Sequence, residues 1–487
     1  MRVMRDERFF TVDVAPDGDG LVSHAGAALL AETADRVGLT RELSEALAGV
    51  RERQGKHVPG RVIRDLAVML ADGGDCLSDM RAVRDQEPLF GAVASDSTAF
   101  RLVDQIASDP TLLGALRAAR ARAREAAWKL GVRPKRIVID IDSTLIGAHT
   151  EKEGAAVNFK GTFGFHPMLA CLDESREALA GMLRPGNAPA HGAGDQIAVL
   201  DEALEQLPLK VIADPEREIV LRADAAGSAL DLCQAARDAR IGYLVGFDLT
   251  KQVRRAILSL PEDAWHPALR QDGGEREGAQ VAEITELLEF YDWPEGSRVI
   301  VRRERPHPGA QLTFTDLEGH RFQATLTDLA GDAVELECLH RARANAEDRV
   351  RAAKQTGMEN LPFREFALNE VWLEISLIAQ DLSVWTQKLC LEGELAIASQ
   401  RRFATGCYTP PDAWPSTPAG RSCACKRAGR GRASSPPRSR VCGRSHYPPA
   451  DPKARRSRTT HRRREAPADR CRENPAAMPA EPVTMPA

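Results

Sequence analysis

Between residues 20 and 130 the apolar positions recur at helical spacing. The segments LVSHAGAALLAETADRVGL, VPGRVIRDLAVMLADG and SDSTAFRLVDQIA each carry such a stripe, and an Arg/Ala-rich run leads up to Trp128. These runs predict helices, with Asp96, Ser97 or Thr98 capping the one that carries Phe100, Leu102 and Val103. After residue 130 the period shortens. Ile137-Val138-Ile139 runs into Asp140 and Asp142, and Ile219-Val220-Leu221 runs into Arg222, Ala223 and Asp224. Further short apolar runs lie at Met168–Leu172 and Tyr243–Phe247, with a hairpin pattern around Phe159–Phe165 and a helical one at Gln196–Gln206. Strands and helices in this succession predict an α/β fold, a mixed sheet layered with helices.

About 90 residues separate the Tyr243–Phe247 run from the next long helical pattern, more than a loop requires. Arg298–Arg303, Leu312–Thr315, Phe322–Leu326 and Val334–Cys338 alternate or are β-branched, and predict a β-rich insertion. HRARANAEDRVRAAK then reads as one helix, and Phe363–Leu391 as a long amphipathic one. After Ala398 the character changes: residues 399–487 contain no Leu or Ile and hold 14 of the 30 prolines. Such a segment cannot bury a core and is expected to be disordered.

The chemistry concentrates where these elements end. On a continuous helix, His340, Arg343, Glu347 and Lys354 share a stripe roughly 60° wide. One carboxylate flanked by two cations, with an imidazole nearby, suits a site that holds metal and phosphate together. Salt-bridged neighbours on an exposed helix give the same pattern, and an Asp at a strand end often only caps the next turn. Two acid-tipped strands followed by such a helix are a rarer combination.

That combination resembles the DDE transposases of bacterial insertion sequences, in the RNase-H-like branch with a Tyr-Arg-Glu-Lys signature. Arg343, Glu347 and Lys354 match the signature spacing, and His340 stands at the tyrosine position. Asp142-Ser143-Thr144 is similar to the first-strand motif, and Arg222-Ala223-Asp224 to the second. Gly164-Phe165-His166-Pro167, Arg184-Pro185-Gly186-Asn187 and the Trp372–Trp385 helix extend the likeness over roughly residues 5–396. The resemblance implies an RNase-H-like mixed sheet flanked by helices and interrupted by the β-rich insertion. It implies cut-and-paste transposition, with Asp142, Asp224 and Glu347 as catalytic metal ligands for two Mg²⁺ ions, Mn²⁺ substituting, and His340, Arg343 and Lys354 on DNA phosphate. The expected partner is double-stranded DNA, both terminal inverted repeats and target, bound by a homodimer. The corresponding domains are 1–130 (helical, DNA binding or dimerisation), 131–250 and 339–398 (catalytic core), 251–338 (insertion) and 399–487 (tail).

Other readings compete. Asp140-Ile141-Asp142-Ser143-Thr144-Leu145 also looks like the first motif of haloacid-dehalogenase-type phosphatases, with Asp140 as nucleophile and Asp142 as general acid around Mg²⁺. The best late acidic pair for that family, Asp195 and Asp201, reads better as the start of a helix. A nuclease without strand transfer, a regulator on a degenerate nuclease fold and an inactive DNA-binding relic also remain.

Composition bounds these readings. The chain has 487 residues and 43% hydrophobic content, enough for two or three domains with real cores. No apolar run approaches membrane-spanning length, so a cytoplasmic, nucleoid-associated protein is expected. The tail holds 19 Lys/Arg against 6 Asp/Glu, whereas residues 1–398 hold 47 against 64. Two basic clusters in this acidic body, Arg117–Arg136 and Arg302–Arg305, are candidates for tracking phosphates, and Trp265 and Trp293 for stacking on an unpaired base. The five cysteines before residue 399, Cys76, Cys171, Cys233, Cys338 and Cys390, read as isolated thiols rather than a metal site. The tail resembles translation of GC-rich DNA in a shifted frame, which suggests a frameshifted copy.

Overall fold

The computed structural model describes residues 25–399 except 51–56, 150, 190–191, 215–217, 225–229, 290–291, 307–315 and 318, together with 12–15, 403 and 424–427. The expected strand at Leu312–Thr315 and most of the tail lie outside the described residues. Ala424–Arg427 pairs antiparallel with Val12–Ala15.

The principal helices before the sheet are α1 (Ala28–Arg36), α2 (Leu39–Ala46), α3 (Pro59–Ala71), α4 (Asp96–Ala107) and α5 (Pro110–Ala127). Ser95, one residue before the expected candidates, caps α4: its hydroxyl accepts from the Thr98 amide at 3.3 Å. Asp109 caps α5, with Pro in its first turn.

The sheet strands are β1 (Ile137–Ser143), β2 (Met168–Leu172), β3 (Ala178–Met182), β4 (Ile219–Ala223), β5 (Gly242–Phe247), β6 (His266–Leu269), β7 (Glu275–Glu283), β8 (Arg298–Glu304) and β9 (His320–Thr327). Helices α6 (Ala193–Glu205) and α7 (Leu230–Asp238) flank β4 in sequence. The strands lie in the order β6-β7-β8-β9-β5-β4-β1-β2-β3, and Asp316–Leu317 adds a short tenth strand beside β9. β4 runs parallel to both β1 and β5, while β2 and β3 fold back antiparallel. The insertion interrupts the chain between β5 and the closing helices, and its strands join the same sheet. It lengthens that sheet, because Ala324–Thr327 of β9 pairs antiparallel with Leu244–Phe247 of β5.

Two expectations for the insertion change. Val334–Cys338 is not a strand but part of helix α8 (Ala333–Arg341). Asp332 sets that outcome, since its carboxylate accepts from the Val334 and Glu335 amides at 2.9 and 3.3 Å and so nucleates a helix. Conversely, β7 has the sequence EREGAQVAE, with too few apolar residues to announce itself, and is held by neighbours on both sides.

The two sheet faces bury different sets. Ile137, Ile139 and Ile141 of β1 belong to a core shared with α1, α3 and the last long helix, α10 (Phe366–Cys390). Val138, Val220 and Leu244 face the other way, against Leu336 of α8. α10 is not amphipathic as expected. It is buried nearly all round, because α1 and α3 cover the side that the sheet does not. One continuous core therefore joins the N-terminal helices to the sheet.

Candidate active site

Register places the first two acids. β1 and β4 are parallel neighbours with Asp140 opposite Arg222. Arg222 Nε and Nη2 each reach an Asp140 oxygen at 2.7 Å, a bidentate fork, and Arg222 also touches Asp173 at 3.0 Å and the Leu339 carbonyl at 2.7 Å. Both partners are buried, and burial pushes the Asp140 carboxyl up against the pull of Arg222. Side chains alternate along a strand, so Asp142 and Asp224, each two residues beyond this clamp, emerge side by side at the strand ends. The Asp-x-Asp and Arg-x-Asp spacings carried this signal: the inner residue of each motif locks register and the outer one is delivered.

The clamp also disposes of the phosphatase reading. Asp140 is 2% exposed with both oxygens engaged, so it cannot act as a nucleophile. Asp195, half of that reading's late acidic pair, forms an ion pair with Arg184 at 3.0 Å, and both Asp195 and Asp201 lie on α6.

The HRARANAEDRVRAAK segment is not one helix. α8 ends at Arg341, Ala342–Asn345 is a 3₁₀ turn, α9 covers Ala346–Ala353, and Lys354–Met358 closes in a π turn with Gly357 at φ 100°. The segment still follows the strand ends. His340 Nε2 donates to the Ala223 carbonyl at 3.4 Å, and its Nδ1 meets the Thr325 hydroxyl at 3.1 Å. Burial foremost pushes its imidazole down to about 4, so the ring is neutral at pH 7. Arg343 Nη2 lies 3.0 Å from Asp142 and 3.5 Å from Asp224. The two carboxylates therefore share a single nitrogen. Lys354 Nζ donates to the Leu145 carbonyl, just past β1, at 2.9 Å, and burial lowers its pKa. Glu347, in the first turn of α9, is exposed and lines a cavity of about 840 Å³ with Asp224, His340 and Arg343. Oxygens of Asp142, Asp224 and Glu347 do not all come within 4.8 Å of one another; among the described residues that closeness occurs only at Asp75, Cys76 and Asp79.

Burial is the main cause raising the Asp142 carboxyl; Arg343 opposes it and neighbouring Asp224 adds to it. Such a carboxylate gains most from a cation beside it. Two carboxylates already sharing one positive group, with Glu347 on the cavity that Asp224 also lines, are oxygen donors of the kind a hard divalent ion takes.

A second cavity, about 900 Å³, holds Asp142, Asp224 and Lys354 together with Phe159, Lys160, His166 and Asn187. The Gly-Phe-His-Pro and Arg-Pro-Gly-Asn motifs each give one residue to its lining, His166 and Asn187. The Arg184 Nε donates to the His166 carbonyl at 2.9 Å, and the His166 ring spans Ser143 Oγ and the Ala188 carbonyl at 3.2 and 3.0 Å. A Cβ on Gly186 would meet carbonyl oxygens of Gly164 and Ala156 at 2.2 and 2.3 Å, so only glycine lets this loop lie against the hairpin. Phe159 at the hairpin tip is 69% exposed, with Lys160 beside its ring.

Part of each basic cluster has another occupation, while Arg133, Lys135, Arg136 and Arg305 are exposed. Arg120 and Arg124 are fully buried beneath the sheet, and Arg117 and Arg122 pair with Glu202 and Glu42. Arg302 is buried against Glu304 and Glu337, and Arg303 pairs with Glu262 while lying 4.3 Å over Trp265. Trp265 is buried and so offers no stacking face, whereas Trp293 is half-buried in a T-shaped contact with Phe247; Phe159, which sequence reasoning did not single out, is the exposed ring beside the site.

Residues 7–404 match the family model for the transposase DDE domain, group 1. The chain belongs to the DDE transposases. No curated protein matches it. Among solved structures, one similar chain is that of a cryo-EM piggyBac transposase synaptic complex with hairpin DNA, 10% identical, with 82% of this chain and 81% of that one covered and a TM-score of 0.39. No described helix of this DDE transposase is long and apolar enough to cross a membrane.

Proposed function

We propose that this DDE transposase performs cut-and-paste transposition, hydrolysing phosphodiesters at transposon ends and joining the freed 3′ ends to target DNA. The carrying observation is that Asp142 and Asp224, from adjacent parallel strands, share one cationic nitrogen at the sheet end, on cavities that also hold Glu347 and Lys354.

In this reading Asp142, Asp224 and Glu347 are the metal ligands. Bound Mg²⁺, or Mn²⁺ in its place, would supply activation of the attacking hydroxyl and charge stabilisation for the leaving oxygen. The Asp140–Arg222 clamp keeps the two aspartates at matched depth. Lys354 and the exposed Lys160 offer positive charge to phosphate in the second cavity. His340, neutral and bonded at both ring nitrogens, steadies the carbonyl that precedes Asp224 and adds no charge. The partner is double-stranded DNA, with a homodimer holding paired ends.

The test uses a duplex carrying the inverted repeats that flank the gene. With Mg²⁺ or Mn²⁺, the wild-type protein is expected to nick the duplex at the repeat end. Asp142→Asn, Asp224→Asn and Glu347→Gln are each expected to lose at least roughly a thousandfold in rate, on the scale of losing a metal's charge stabilisation, with duplex binding retained. Full activity in any one removes that residue from the site.

A further inference from the structure

Arg343 is held in an unfinished way. It rises from the 3₁₀ turn Ala342–Asn345 that separates α8 from α9. One of its nitrogens, Nη2, serves both Asp142 and Asp224, while its Nε is buried with no hydrogen-bond partner. A guanidinium carries five N–H donors, and here Nε is left unbonded, as it also is in Arg61 and Arg349. What sets Arg343 apart is that its partners are two carboxylates at the mouths of two cavities. Its single positive charge also leaves the two aspartates with net negative charge. The group thus stands where a divalent cation would be better matched, on a short 3₁₀ link of the kind that often acts as a hinge.

We infer that Arg343 is the resident counter-cation of the aspartate pair and that a divalent ion binding there must displace it, which frees the guanidinium for the DNA phosphate that the family resemblance gives it. This rests on the assignment of Asp142 and Asp224 as metal ligands. Two like charges cannot share the gap between the carboxylates, so ion entry and Arg343 departure are linked. Its planar fork, once released, is matched to a phosphate. Metal loading and DNA grip are then coupled free energies, each strengthening the other.

The test measures Mn²⁺ affinity by the loss of the free-ion EPR signal, on the full chain without DNA, so that no turnover is involved. Arg343→Gln removes the competing charge, and is expected to bind Mn²⁺ roughly ten- to a hundredfold more tightly than wild type, on the scale of one or two charge-assisted hydrogen bonds. Arg343→Lys, which keeps the charge without the fork, should fall between the two. Asp142→Asn should lose the site. Equal or weaker Mn²⁺ binding in Arg343→Gln, with Asp142→Asn still defective, overturns the inference and leaves the metal ligands standing. Wild-type affinity in Asp142→Asn overturns the ligand assignment itself. A second readout covers poor folding of either variant: in Ca²⁺, a short duplex should bind wild type more tightly than in chelator, and Arg343→Lys should shrink that gain. An unchanged gain in Arg343→Lys counts against the coupling.

Discussion

Two arginine–carboxylate clusters sit on this fold, and they are built on opposite terms. In the buried one every N–H of Arg124 has an acceptor: Glu177 at 3.2 Å, Gln206 through Oε1 at 2.7 Å and its carbonyl at 3.3 Å, the Ala178 carbonyl at 2.6 Å, and Asp381. Trp128 and Trp385 donate to the oxygens of Glu177 at 2.9 and 2.8 Å, and the Ala178 amide to Asp381 at 2.8 Å. This network ties α5, β3 and α10 together and leaves nothing over for a ligand. At the strand ends Arg343 is half-satisfied, its carboxylates open onto two cavities, and one of them, Asp224, is exposed. The difference lies in access rather than in saturation alone: Arg120 Nη1 and Glu374 Oε1, 2.9 Å apart beside Arg124, also lack hydrogen bonds but are sealed in the core, whereas the carboxylates around Arg343 open onto cavities.

The sharpest way to break this contrast is to remove one arginine from each cluster. Arg124→Met takes from Glu177 and Asp381 their hydrogen-bonded cation, leaving Arg120 at 3.8 Å from Asp381. It is expected to cost about 3–5 kcal/mol in urea or thermal unfolding, the usual penalty for a buried charge left alone. Arg343→Met should cost less, about 1–2 kcal/mol, because Asp224 is half exposed and Asp142 opens onto a cavity. Equal losses from the two would erase the distinction.

Between these extremes stands the Arg222–Asp140 clamp, buried like the first cluster but adjacent to the second. Arg222→Lys keeps the charge and loses the fork. The expected loss is about 2 kcal/mol of stability, comparable to a charge-assisted hydrogen bond. DNA cleavage should fall further, by at least roughly tenfold, since a small misplacement of reacting groups is costly. Unfolding curves and single-turnover cleavage of one preparation decide it: a stability loss with unchanged cleavage would show that register does not depend on this pair.

Much of this was legible in the chain because strong local signals agreed with the fold. β1, β2, β4 and β5 are short apolar runs, and the acids at the ends of β1 and β4 were evident. What could not be read was what surrounds each charge. Arg120 and Arg124 look the same in sequence as surface arginines, and only the helix packing above them shows that they are interior. β7 is charged yet forms a strand because its neighbours do, a tertiary override of propensity. The long helix α10 misled for the same reason. Polar positions such as Asn369, Glu374 and Asp381 recur as on a wet face but are buried against protein partners. The break at Ala342–Asn345 has no marker by proline or glycine. Asn345 is held there by the Asp173 carboxylate at 3.4 Å, a contact made across the fold.

The gentlest probe of the contrast is His340, which lies between scaffold and site. Its folded pKa, near 4, is below the ordinary 6.5 because burial disfavours the charged ring, so the unfolded chain binds the proton more readily. Its contribution is therefore fully present above pH 6.5 and declines as pH falls toward 4. Across pH 6.5 to 5 the loss is expected to be about 1–2 kcal/mol. His340→Gln, whose amide can still donate to the Ala223 carbonyl, should flatten that part of the profile without moving stability at pH 8 by more than about 1 kcal/mol. Unfolding midpoints of both proteins across this range make the comparison. Parallel profiles would mean that other groups carry the acid sensitivity, and that the imidazole stays neutral for reasons unconnected with holding β4 in place.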